Sequence, residues 1–317
     1  MNRFNNTLQF CLLFAAALLV LSSVPVRVGA QSIIGAEPFP PNKADVEETK
    51  EGAETIQEVW ELMLAERREL EPERWEEQEP TIIVDANTKS LTDVLEDAPS
   101  GAVVQLAKGA RVELGAINPL KDRSSATLSR PIAVVGETGV PEDAVVVLNQ
   151  REFIAIQSER VYFKGVEFRR QPGESAAFPN PIVKVELSGN VFFKNCSFEG
   201  ASLESAVGVL IEEGIAKFWR CSFWEFGGAG IIAQHDGVAT LAYCELLGNA
   251  IGASARRDGS IVAMACRFTQ NGVGYSAQEG GGGKLESVLF ERNGRAWGVS
   301  AGSSSAVELV RRTLVVR

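Results

Sequence analysis

The sequence predicts an all-β protein, a right-handed parallel β-helix solenoid with an N-terminal helical segment and a short N-terminal capping helix. Two observations carry this. An eight-residue pattern (apolar, x, apolar, x, x, Val or Cys, x, Phe or Leu) recurs six times, and its Val/Cys position falls at Val166, Cys196, Cys221, Cys244, Cys266 and Val288, settling to a 22-residue step. A glycine-led segment follows at the same beat: Gly208-Val209, Gly230-Ile231, Gly252-Ala253, Gly274-Tyr275 and Gly298-Val299. Evenly repeated segments of this length mark solenoids.

The elements follow in order. Arg3, the apolar run Phe10–Leu21 and the small residues Val28-Gly29-Ala30 read as a secretory signal over residues 1–30. A membrane anchor is the lesser reading, because a bilayer span takes about 20 apolar residues. Cys11 lies inside the apolar run and not at the cleavage point, which argues against a lipid-attached N-terminus. No later segment is apolar enough to span a membrane, so the expected location is secreted or periplasmic. Residues 31–80 form an acidic helical and linker segment, with fifteen Asp/Glu against five Lys/Arg. Within it residues 31–43 are Pro-rich, and Ile56, Trp60, Met63 and Leu64 recur at helical spacing across 44–70. Such a helix lies across the body, acts as a stalk or stays loosely attached; the sequence leaves these open.

The solenoid takes residues 81–317. Thr81–Asp85 is a strand, Ser90 is an N-cap, and Leu91, Val94, Leu95 and Ala98 share one face of a short helix that ends at Pro99-Ser100-Gly101. Strands follow at Ala102–Ala107, Pro131–Gly136 and Ala144–Leu148. On the strength of the stretch Asp97–Gly109, DAPSGAVVQLAKG, the chain resembles the opening of proteins in the pectin-lyase-like β-helix superfamily.

Within each repeat the alternation gives two short strands, and the two-residue offset between them gives a bend. With the Gly-led strand, each rung has three. Asp236-Gly237, Asp258-Gly259 and Glu279-Gly280 mark one corner, and Asn271-Gly272 and Asn293-Gly294 another. Residues of this kind tolerate the positive φ that sharp corners need. A leucine-rich solenoid fails because no repeat carries an amphipathic helix, and a β-sandwich does not demand so even a repeat.

Cys196, Cys221, Cys244 and Cys266 should line one column. Stacked core thiols are the favoured reading, because parallel Cβ vectors aim the sulfurs poorly. One or two adjacent-rung disulfides are the alternative in an exported protein. A collinear ladder does not make a zinc tetrahedron, so no metal site is expected there.

The net charge of −10 belongs to residues 31–80, while 81–317 carry twenty-six acids against twenty-four bases. That balance excludes a basic nucleic-acid footprint. The resemblance raises enzymes that cleave or de-esterify acidic polysaccharides, but their motifs are missing. Asn87-Thr88-Lys89 stands in place of a polygalacturonase-like Asn-Thr-Asp, and Asp-Asp and Arg-Ile-Lys are absent. Arg170-Gln171-Pro172 opens like a pectate lyase element, but Ser175 stands where its second Arg belongs. The pectin methylesterase segment is missing as well. Cofactors are expected to be none; for calcium, Glu186 and Glu212 alone are thin support.

The outward row of the third strand reads Lys184, Glu186, Leu210, Glu212, Ile232, Gln234, Ser254, Arg256, Ser276, Gln278, Ser300. At the following corner Glu212, His235, Asp236 and Arg256 are the catalytic candidates. A carboxylate, a His and an Arg together do acid–base work or grip a sugar acid. The plainer alternative makes the two Asp residues turn formers and the arginines their solvated partners. Arg257, Asp258, Trp219 and Trp224 are ligand-binding candidates, the tryptophans as sugar platforms unless they pack under the long turn loops or the N-terminal helix. The expected function is an exported β-helix that binds an extended extracellular polysaccharide or serves a surface role. The alternatives are a lyase, hydrolase or esterase with a divergent site, and a spacer that self-associates through its C-terminal rung. Whether the chain is an enzyme stays open.

Overall fold

Alternating burial on short strands demands a partner layer on the apolar side, and a coil supplies it by closing on itself. In the computed structural model, which describes residues 78–88, 90–115, 125–172, 180–299, 305–310 and 313–316, the chain forms a right-handed parallel β-helix of about nine turns. These residues all fall within one compact unit. The signal, the Pro-rich stretch and the helix expected over 44–70 lie outside the described residues.

Three parallel sheets line the coil, with ten, nine and eight strands among the described residues. The first runs from Ile82–Val84 to Ala306–Val310, the second from Ala110–Glu113 to Leu314–Val316, and the third from Ser125–Leu128 to Arg295–Val299. The repeated columns stack in register. Val161, Val191, Ala216, Ala239, Ile261 and Gly283 form one, and Phe163, Phe193, Phe218, Leu241, Ala263 and Leu285 the next. The rings of Phe163, Phe193 and Phe218 stack at 5.1 Å, and Phe198 lies 4.6 Å from Phe223. Each such pair adds about 0.5–1.5 kcal/mol to its area burial. The cysteines line up as expected: the amides of Ser222, Glu245, Arg267 and Leu289 donate to Cys196 O, Cys221 O, Cys244 O and Cys266 O of the preceding rung at 2.9–3.0 Å. All four are buried free thiols, and burial pushes those of Cys221 and Cys266 well up.

One left-handed residue makes each bend between the first and second sheets. It is Gly165, Asn195, Arg220, Tyr243, Ala265 and Ser287 in successive rungs, with φ between 49° and 60°. At the next corner the positive φ falls on Gly248, Gln270 and Arg292, one residue before Asn249, Asn271 and Asn293. This corrects the expectation for Asn-Gly. The asparagines instead turn inward as a ladder, Asn249 Nδ2 donating to Asn271 Oδ1 at 3.1 Å and Asn271 Nδ2 to Asn293 Oδ1 at 3.0 Å. Gly272 is required by space, since a Cβ there would sit 2.7 Å from Ala250 O. At the third corner Asp236 and Asp258 do adopt positive φ, 62° and 64°.

At the N-terminal end, α1 (Leu91–Asp97) closes the coil. Ser90 Oγ caps it by accepting from Asp93 N at 3.3 Å and donates to Gly115 O at 2.8 Å, while Leu91 and Leu95 join the core. At the other end the register corrects one reading. Trp297, not Val299, takes the place of Tyr275, so Gly298 does not continue the glycine column, and Trp297 packs on Phe290 at 5.8 Å. In the last rung Leu309, Leu314, Val315 and Val316 are exposed by 42–58%.

Candidate functional site

Adjacent rungs bring equivalent positions about 4.8 Å apart, so polar residues at the outward positions of one sheet form a row along the stack. The third sheet builds such a row where its strands end. Gln157 Nε2 donates to Glu186 Oε2 at 2.7 Å, and Lys184 Nζ bridges Glu186 Oε1 at 3.1 Å and Glu212 Oε2 at 2.9 Å. Gln234 Nε2 then donates to Glu212 Oε1 at 2.6 Å, and Arg256 Nε to Gln234 Oε1 at 3.0 Å. The chain of contacts crosses five consecutive rungs. Among the described residues the two terminal nitrogens of Arg256 make no hydrogen bond. Beyond it Gln278 Nε2 donates to Ser276 Oγ at 2.8 Å.

The electrostatics of the row are those of a held network. Burial raises Glu212, but hydrogen bonds from Lys184 and Gln234 outweigh it and hold the carboxyl below its ordinary value. Burial likewise pulls Lys184 down, and its contacts with Glu212 and Glu186 override that and raise it. Burial, with Arg257 nearby, lowers Arg256. A depressed carboxyl is neither a general acid nor a strong base near neutrality. The two glutamates share one lysine instead of facing each other across a gap a sugar bond could enter.

The corner separates the other candidates from this row. Gln234 and Arg256 end strands, whereas His235 and Arg257 occupy the left-handed turn position, with φ 50° at each. There Arg257 Nε pairs with Glu279 Oε2 at 3.0 Å, and Arg257 Nη1 lies 3.5 Å from His235 Nε2. All three sit exposed, and Asp236 and Asp258 are exposed turn formers. The structure therefore brings Glu212, Gln234 and Arg256 together and makes no hydrogen bond from His235 or Asp236 to Glu212. Along the same corner, toward the N-terminus, Glu159, Arg160, Ser188, Asn190, Glu213 and Ile215 line a pocket of about 370 Å³, which sequence reasoning missed because its residues come from three different turns.

The tryptophans are elsewhere. Trp219 lies on the outer face of the first sheet, is 6% exposed, and packs with Ala242 and Met264 beside the Tyr243 ring at 4.6 Å. Trp224 lies on the second sheet, half-buried, its indole donating to Ser197 Oγ at 3.1 Å. They do not flank one groove, because two strands of one rung that join at a bend face different directions, and Trp219 is packed as the second of its two expected readings has it. Ser300 falls outside the described residues. Among the described residues no three His, Cys, Asp or Glu side chains converge as a metal site, and no helix is long and apolar enough to cross a membrane.

No family model matches the chain, and no curated protein matches it. Two solved structures of a pectin methylesterase from Aspergillus niger are similar to it. The deglycosylated form is 10% identical with a TM-score of 0.44, and the penultimately deglycosylated form 11% identical with 0.42. Each match covers 74% of this chain and 86% of the other. The A-module of a mannuronan C-5 epimerase from Azotobacter vinelandii is 12% identical with a TM-score of 0.26, over 71% of this chain and 89% of that one. Likenesses at this level concern the fold and carry no chemistry.

Proposed function

We propose that this chain is an exported, non-catalytic β-helix that holds an extended polysaccharide along the end of its third sheet. The observation that carries the reading is the polar row from Gln157 to Arg256, continuous over five rungs and paired within itself. The exposed Gln157 and the partly exposed Lys184, Glu186 and Glu212 offer donors and acceptors to hydroxyls at rung spacing, the buried Gln234 holds Glu212 and Arg256 in place, and Arg256 offers its fork to a sugar carboxylate. The rung spacing is close to the advance of one sugar in an extended chain. The pairing of the row's charges also disfavours a nucleic-acid backbone, which needs many uncompensated cations. Export rests on the residue 1–30 signal.

The test is affinity electrophoresis of the full chain through uronic-acid and neutral polysaccharides, with parallel assays for reducing ends, released methanol and unsaturated product. Retardation without product supports the proposal. Product that disappears in Glu212→Gln overturns it in favour of a divergent enzyme.

A second reading, self-association, is favoured by the apolar exposure of the last rung at Leu309, Leu314 and Val316. Sedimentation over a concentration series tests it: a dimer lost in Leu314→Asp supports it, and a monomer throughout removes it.

A further inference from the structure

A side chain that points away from the coil should be wet. On the first sheet many are not. The register stacks Val103, Ala133, Tyr162 and Phe192 in one outward column, and Trp219 and Met264 stand in the neighbouring one. They form two apolar clusters separate from the main core, one around Tyr162 and one around Trp219, both touched by Phe192. Tyr162 is 2% exposed, Trp219 6% and Met264 8%. By contrast, the large outward Trp224 and Leu247 of the second sheet are partly accessible, and the outward residues buried there include the polar Glu167, Ser197 and Thr269. Small or polar outward residues such as Ser254 are covered by their own neighbours, but outward rings as large as those of Tyr162 and Trp219 reach such burial only beneath another layer.

We infer that the outer face of the first sheet is the docking surface for residues 48–70 of this same chain, laid along the stack as an amphipathic helix. Pattern, charge, length and connection agree. Ile56, Trp60, Met63 and Leu64 supply one apolar stripe. The segment holds seven Glu against three Lys/Arg. The face it meets carries Lys164 directly opposite Lys194, with Lys217 and Lys284 further along. Twenty-three helical residues extend roughly 34 Å. The seven strands from Val103 to Met264 span about 29 Å at the usual spacing. The connection is direct, because residues 71–80 lead into Ile82–Val84, the first strand of this same sheet and the neighbour of the strand that bears Val103. The helix thus starts from the correct end and runs back over the rungs. It would shield the first sheet and not the end of the third, where Lys184, Glu186, Glu212 and Arg256 keep partial exposure.

Zero-length carbodiimide cross-linking of the full chain, read by mass spectrometry on an equal mixture of isotopically light and heavy protein, tests this. The expected products join Lys164, Lys194 or Lys217 to Glu51, Glu54, Glu58 or Glu61 within one copy. Hydroxyl-radical footprinting adds a second readout: in Ile56→Asp/Trp60→Asp, labelling of Trp219 and Tyr162 rises severalfold while the circular dichroism of the coil stays unchanged. The inference is overturned by links only between copies, which would make the cover a second molecule, by links confined to other faces, or by unchanged protection of Trp219 in the double variant.

Discussion

Asn271→Ala removes the middle of the buried asparagine ladder. Asn271 is 1% exposed and serves both neighbours. Its Oδ1 accepts from Asn249 N at 3.0 Å and Asn249 Nδ2 at 3.1 Å, and its Nδ2 donates to Leu246 O at 2.9 Å and Asn293 Oδ1 at 3.0 Å. Alanine leaves Asn249 N without an acceptor, whereas Asn249 Nδ2 keeps Phe223 O and Asn293 Oδ1 keeps the Asn271 amide. One orphaned buried donor costs about 1–3 kcal/mol, and each further lost bond about 0.5–1.5 kcal/mol. With three further bonds lost, the expected loss is about 3–7 kcal/mol. Solenoids unfold partly rung by rung, so a single global transition is a blunt readout. Urea unfolding should be combined with hydrogen exchange at residue 249, where protection should fall by a factor in keeping with the free-energy loss. A loss under about 1 kcal/mol with the Asn249 amide still protected would refute the reasoning, because it would mean water replaces the ladder at little cost.

Four further outcomes are expected. Gly283→Ala should destabilise the coil markedly, since its Cβ would fall 2.0 Å from the Tyr275 hydroxyl that donates to Gly282 O; Tyr275→Phe in the same chain should recover part of the loss in thermal unfolding. Arg170→Met should cost about 3 kcal/mol or more, because the buried guanidinium, lowered by burial to about 10, donates to the carbonyls of Asn149, Glu152 and Asn180. Glu212 has a folded value below the ordinary 4.5, so its contribution is present above that value and is lost as pH falls through the folded one. Stability should decline on that acid side less steeply in Glu212→Gln. The thiols of Cys196, Cys221, Cys244 and Cys266 should stay unreactive toward an alkylating reagent in the native protein and react on unfolding, with mass spectrometry counting the adducts.

The coil was legible because its inward columns are simple: Phe163, Phe193 and Phe218 repeat size and hydrophobicity, and Cys196 to Cys266 repeat a small buried group. The bends were not. Arg220, Tyr243 and Ala265 hold positive φ although their own preference runs against it, so the stacked neighbours impose the conformation. That hidden turn also decides the site. Gln234 and His235 are adjacent in sequence, yet the corner puts one in the row and the other on the exposed edge. Likewise the outward phase of Trp219 was readable, whereas its burial was one of two readings the sequence left open, since phase alone does not say what lies over a face. Lys184 entered the sequence reading only as a member of the outward row; its role as the bridge between Glu186 and Glu212 needs the register of the strands.

The most direct measurement is the affinity of the full chain for uronic-acid oligosaccharides of increasing length, by calorimetry, beside Lys184→Ala and Arg256→Ala. Tightening with each added sugar until the ligand spans Gln157 to Arg256, then a plateau, with a weaker plateau in both variants, is the predicted result. Affinity independent of length, or identical in the variants and the parent, would contradict a binding row along the third sheet.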